Sequence, residues 1–123
     1  MALVGSKDDA EALVPLKPVV FQILLALAEG SSHGYGVMQA VRQGSNGRIP
    51  LQTGPFYRHL RRLFDDGLVE ESPDAPSDDD PRRGAYYRLT ELGREVVRSE
   101  ATRLAGLVAK TEQLGLLPSE GRA

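Results

Sequence analysis

The chain has 123 residues, 41% of them hydrophobic and 26% charged, with a net charge of −2. That length suits one domain, and the composition excludes a wholly disordered chain. The absence of cysteine excludes disulfides, thiolate zinc sites and a cysteine nucleophile, and two histidines cannot build a histidine-rich metal centre.

No apolar run approaches the ~20 residues that a membrane span needs. Met1–Glu11 lacks the basic-then-apolar pattern of a signal peptide. A soluble, cytoplasmic protein with no membrane partner is therefore expected. Aromatic residues are only 6% and tryptophan is absent, so the core must be mostly Leu, Val and Ala. So small a core is expected to gain help from a partner subunit.

The distribution of charge says more than its sum. No Asp or Glu occurs between Ser31 and Phe64, while that stretch holds Arg42, Arg48, Arg58, Arg61 and Arg62. A cationic middle inside an acidic chain is the electrostatic footprint of a nucleic-acid binder.

In chain order, residues 1–15 are polar and read as a flexible arm, with room for one helical turn. Lys17 to Ala28 is apolar on nearly every side, as in a helix buried on most faces. Gly30 is positioned to end it. Ser31 and Ser32 offer capping hydroxyls for a second helix, His33 to about Gln43. Its inward side is expected to be Val37, Met38 and Val41. Gly34 and Gly36 are poor helix formers, and their presence suggests close approach of another backbone. Gly44–Gly47 is a loop, and Arg48–Pro50 is expected to be a short extended piece.

A third helix is predicted from Thr53 or Pro55 to about Asp66, with Gly67 as its stop. Stepping 100° per residue places Phe56, Leu60, Leu63 and Phe64 within one core-facing stripe. Arg58, Arg61 and Arg62 fall on the opposite side, and Tyr57 and His59 on the flanks. His59 is expected to pack at the boundary. A strand at Leu68–Glu71 and a returning strand at Ala85–Leu89 form a hairpin. The connection between them is long, so its tip is expected to move. Thr90 is a good N-cap for a last helix, Glu91 to roughly Leu114. Val97, Ala101, Leu104, Val108 and Thr111 step by four and three along it, and Leu107 and Leu114 widen the stripe. That face is expected to form a two-chain seam.

The order helix, helix, helix, strand, strand, helix is mainly α with a small β-hairpin. It is the layout of a winged helix-turn-helix followed by a dimerisation helix. The corresponding division is an arm over 1–15, the winged domain over 16–90, the dimerisation helix over 91–115 and a tail over 116–123. An α-helix fits the major groove of B-DNA, where arginine pairs with guanine or with phosphate. Polar residues at the start of the third helix are best placed for base edges. Those are Gln52, Thr53 and Tyr57, followed by Arg58 and Arg61.

Three runs of residues carry a resemblance to a known family. They are Leu27-Ala28-Glu29-Gly30 with His33-Gly34-Tyr35-Gly36; Thr53-Gly54-Pro55-Phe56-Tyr57 with Leu60-Arg61-Arg62-Leu63 and Gly67-Leu68-Val69; and Tyr86-Tyr87-Arg88-Leu89-Thr90 with Gly93. In this order and spacing the sequence resembles the PadR-type transcriptional regulators, over about Leu16 to Val97. The resemblance implies a homodimer that binds an operator in double-stranded DNA, usually as a repressor, and a last helix that makes the dimer. The single C-terminal helix resembles the small subclass.

It further implies DNA contacts from Tyr57 to phosphate, from Arg58 and Arg61, and from the neighbourhood of His33. Gly54 and Arg62 belong to the same interface, and Arg82 and Arg83 to the wing. Pro55 stands where the family motif has Thr, which removes one hydroxyl. Asp74 and Asp78–Asp80 put acids at the wing tip, where they repel phosphate.

The family also implies a small-molecule effector between the wing domains and the dimer helices. Stacking it between tryptophans is unavailable to this chain. Phe21, Tyr35 and Met38 are candidate lining residues, with a core role expected first. The competing reading is a winged-helix module for protein interaction, without DNA. An enzyme is not expected, because there is no activated nucleophile, metal cluster or phosphate-cradling glycine loop. No catalytic residue, metal ligand or cofactor is assigned.

Overall fold

The computed structural model describes residues 7–73 and 84–118. The expected wing tip, with Arg82, Arg83 and Asp78–Asp80, lies outside the described residues. The elements are α1 (Lys7–Glu11), α2 (Pro18–Ala28), β1 (Ser32–His33), α3 (Gly34–Gly44), α4 (Thr53–Asp65), β2 (Val69–Ser72), β3 (Tyr86–Leu89) and α5 (Glu91–Gln113). This is a winged helix-turn-helix with a long C-terminal helix, as the sequence pattern predicts.

The core forms where the apolar faces of α2, α3 and α4 meet. Ile23, Leu24 and Leu27 of α2, Val37 and Val41 of α3, and Phe56, Leu60 and Leu63 of α4 are all buried. Each such side chain contributes about 1.5–3 kcal/mol by leaving water. Leu51 is buried ahead of α4 and anchors the connection between the two helices. Its turn falls at Ser45–Gly47, inside the expected loop, and Arg48 and Ile49 form a bend rather than the extended piece expected at Arg48–Pro50. Asn46 and Gly47 take positive φ, and the Ile49 N–H donates to Ser45 Oγ at 2.9 Å. The Asn-Gly pair tolerates the left-handed backbone that closes the turn.

The sheet differs from the expected two-stranded hairpin. Among the described residues it has three strands in the order β1-β3-β2, all antiparallel. Ser32 pairs with Tyr87 and His33 with Tyr86. Two residues are too few to show alternation, so the sequence carries no sign of this strand. Tyr87 and Leu89 pack toward the core, while Tyr86 meets the His33 ring edge-on at 5.3 Å. Arg88 reaches across the strands to Glu70 at 2.9 Å, an exposed pair worth at most about 1 kcal/mol.

His33, rather than a serine hydroxyl, is the N-cap of α3, and its Nδ1 accepts from the Gly36 N–H at 2.9 Å. Thr90 caps α5 as expected. Its hydroxyl accepts from the Gly93 N–H at 3.0 Å and donates to the Gly67 carbonyl at 2.6 Å. That one side chain ties the end of α4 to the start of α5.

Within the segment expected as an arm, Lys7–Glu11 is helical and Ala10 is fully buried. Helix α1 lies on α5, which supplies the surface that a lone turn needs to persist. Beside it, Glu100 is a carboxylate only 2% exposed. It accepts from Arg103 Nε at 2.9 Å and Nη2 at 2.7 Å. The guanidinium of Arg103 and a backbone hydrogen bond from Leu16 outweigh burial and hold its carboxyl below the usual range.

Two outcomes follow from these contacts. A Cβ on Gly93 would collide with the Leu68 carbonyl oxygen. Gly93→Ala is therefore expected to cost about 1–3 kcal/mol, as overpacked substitutions do. An unchanged thermal midpoint would contradict that packing. Glu100 has a folded pKa below its unfolded value, so its contribution to stability is present above about pH 4.5 and is lost as pH falls through the lower folded value. The stability gap between the wild type and Glu100→Gln, measured by denaturant unfolding, is expected to shrink on acidification. A gap that stays constant from about pH 6 to about pH 3 would count against the paired carboxylate.

Candidate nucleic-acid interface

Burial of Phe56, Leu60 and Leu63 decides which way α4 faces. With that stripe inside, Tyr57, Arg58, Arg61 and Arg62 all emerge on the outside. Gly54, Tyr57, Arg58, Arg61, Arg62 and Asp65 line one shallow surface depression. Gln52 and Thr53 are exposed at its N-terminal end, where Gln52 makes no side-chain cap. The structure thus brings the expected α4 residues together on one face.

Phe64 departs from the expected stripe. It is 37% exposed and meets Tyr87 edge-on at 5.8 Å. Its angular position explains this, because it lies at the edge of the stripe and covers the sheet instead of the core. Tyr87 is the residue that sequence reasoning left out of this region. Burial, Tyr57 and Glu71 together push its hydroxyl pKa up. Phe64 and Tyr87 continue the aromatic surface of Tyr57 from α4 onto the sheet. Only the paired tyrosines at 86 and 87 hint at it in the sequence.

The approach of α3 to α4 depends on a missing side chain. A Cβ on Gly34 would meet the Tyr57 hydroxyl at 2.7 Å and Phe56 Cε2 at 3.2 Å. Gly34 therefore lets the start of α3 sit against Tyr57, which remains 44% exposed. Tyr35 follows, 60% exposed, with its hydroxyl accepting from Gln39 Nε2 at 3.0 Å. His33 does not join this surface. It is 8% exposed and its Nδ1 is committed to the α3 cap, so it positions α3 from beneath.

The face is mainly cationic, with Arg58, Arg61 and Arg62 against Asp65. Arg62 is 3.5 Å from Asp66, with the Arg side chain 79% exposed; water screens such a pair strongly. No carboxylate partner is recorded for Arg58 or Arg61 among the described residues. His59, on the flank, is half-buried. Burial, with Lys17 and Arg58 nearby, lowers its pKa.

The candidate seam on α5 divides in two. Val97 packs against the chain's own core, and Leu104 and Thr111 are half-buried. Ala101 is exposed, as are Leu107 at 52%, Val108 at 46% and Leu114 at 62%. Leu116 and Leu117 extend this apolar surface beyond the helix. Among the described residues no group of His, Asp or Glu could hold a metal ion, and no helix is long and apolar enough to cross a membrane.

Comparison with known proteins places this architecture. No protein of curated function matches the sequence. A transcriptional regulator from Clostridium thermocellum, Cth-833, is 21% identical with a TM-score of 0.62, over 77% of this chain and 87% of that one. Lactococcus lactis ZitR, wild type in complex with DNA, is 22% identical with a TM-score of 0.57, over 94% of this chain and 68% of that one. RosR of H. salinarum is 21% identical with a TM-score of 0.56, over 81% of this chain and 96% of that one. These likenesses bear on the fold. The model of the transcriptional regulator PadR-like family matches residues 23–99, most of the chain and all three of its sequence signatures. The chain belongs to the PadR-like family of transcriptional regulators.

Proposed function

We propose that this protein is a sequence-specific DNA-binding regulator that acts as a homodimer, with α4 as its recognition helix. The observation that carries the reading is the outer face of α4. It holds Tyr57, Arg58, Arg61 and Arg62 on one surface, and among the described residues neither Arg58 nor Arg61 forms an ion pair with a carboxylate. Arginines so placed supply phosphate affinity and guanine recognition. Gln52, Thr53 and Gly54 lie at the end of the helix that enters the groove first. Tyr57, braced by Gly34, is suited to fix the register on phosphate. The DNA complex of ZitR, a fold neighbour, supports a duplex as the partner.

The two-fold pairing is proposed through the distal half of α5, where Leu107, Val108 and Leu114 would be covered by the second copy. Two recognition helices would then read an inverted repeat. Its half-sites would lie about one helical turn apart, on the order of 10 bp, or a multiple of that. Binding over a promoter would repress. A small-molecule effector would act by favouring a pairing of the winged domains that does not match this spacing.

Arg61→Ala is expected to weaken duplex binding while leaving the dimer folded. The slope of log affinity against log salt should fall by about 1, the loss of one phosphate contact. Unchanged affinity and slope in a fluorescence-anisotropy titration would remove Arg61 from the interface. Leu107→Lys, at an exposed position, is expected to yield a folded monomer by sedimentation, with duplex affinity reduced at least about tenfold as avidity is lost. A Leu107→Lys dimer of wild-type affinity would move the seam elsewhere.

A further inference from the structure

Behind α4, on the side away from the sheet, the chain leading into α2 leaves a groove of about 400 Å3. That lies within the ~300–1,000 Å3 typical of small-molecule sites. Leu13, Leu16, Val20 and Leu63 give it an aliphatic wall with no Phe, Tyr or Trp in the lining. Its polar rim is strongly biased in sign: Lys17, Arg58 and Arg62 are cationic, His59 stands between them, and Asp66 is the one acid. Asp66 is already engaged with Arg62. Neither Lys17 nor Arg58 has a recorded carboxylate partner among the described residues.

We propose that this groove binds a small aliphatic carboxylate, with its tail on the leucine and valine wall and its head between Lys17 and Arg58. Charge complementarity selects the head, because an anion is the group that a rim with two unmatched cations lacks. The ring-free wall selects the tail. His59 stands within reach to offer the same head a hydrogen bond; burial first, then Lys17 and Arg58, lowers its pKa. Arg58 and Arg62 also line the outer depression of α4. A carboxylate that holds Arg58 from behind withdraws it from phosphate, so ligand and DNA weaken each other by the same factor. This coupling rests on the assignment of α4 as the recognition helix; binding of the carboxylate does not.

Octanoate is the probe, with octanol matching the tail and acetate matching the head. Calorimetric titration of the full chain without DNA is expected to show binding of octanoate at least about tenfold tighter than of either control. Lys17→Gln, an exposed change outside the proposed DNA surface, is expected to weaken octanoate about tenfold and leave duplex affinity unchanged. Saturating octanoate is expected to lower duplex affinity of the wild type by about fivefold or more, with little effect on Lys17→Gln. Octanol binding as tightly as octanoate, or Lys17→Gln binding octanoate like the wild type, would overturn the site. Octanoate binding that leaves duplex affinity unchanged would overturn the coupling alone. A protein that takes octanoate but no duplex would sink the DNA-binding reading and leave the groove standing.

Discussion

Helix α4 can bury its apolar stripe in one way. Phe56, Leu60 and Leu63 enter the core, and the arginines on the far side are carried outward by the same rotation. The orientation of the cationic face is thus a consequence of hydrophobic burial, and no contact with a ligand is needed to set it. Gly34 fixes the remaining degree of freedom. A side chain there would collide with Tyr57 and Phe56, so the glycine sets how closely α3 and α4 cross and where the tyrosine hydroxyl sits. The His33 cap holds the first turn of α3 against that contact.

Helix α5 does two jobs along its length. At its start Gly93 lies against the Leu68 carbonyl, and Thr90 links it to the end of α4. Midway, Glu100, held by Arg103 one turn on, takes a backbone hydrogen bond from Leu16 and links the helix to the chain entering α2. Beyond that point Leu107, Val108 and Leu114 are left exposed by the described residues. The helix's rigid joint with the winged domain would hold two recognition helices at a set separation in a dimer. The groove behind α4 borders the same joint, through Leu16 and Leu68.

Much of this was legible in the residues. The 3.6-residue spacing of Phe56, Leu60 and Leu63 identified α4 and its outer face, because amphipathic periodicity is a direct image of burial. Thr90 before Glu91 announced the α5 cap. Other features depend on partners distant in sequence. The strand Ser32–His33 exists only because β3 offers a free edge. Lys7–Glu11 is ordered because α5 lies beside it. His33, which the family motif sets near the DNA, caps α3, where a helix start needs an acceptor. Phe64 sits at the margin of its stripe, where periodicity cannot tell core from sheet. The groove at Lys17 and Arg58 joins residues from two elements, and no local pattern reveals it.

Selection of bound sequences from random duplex DNA by the full chain tests the central claim most directly. An enriched inverted repeat is expected, with half-sites about 10 bp or a multiple apart, recovered from a complex whose affinity falls steeply with added salt. A pool that acquires no common sequence even in dilute buffer, with retention insensitive to salt, would contradict a recognition role for α4.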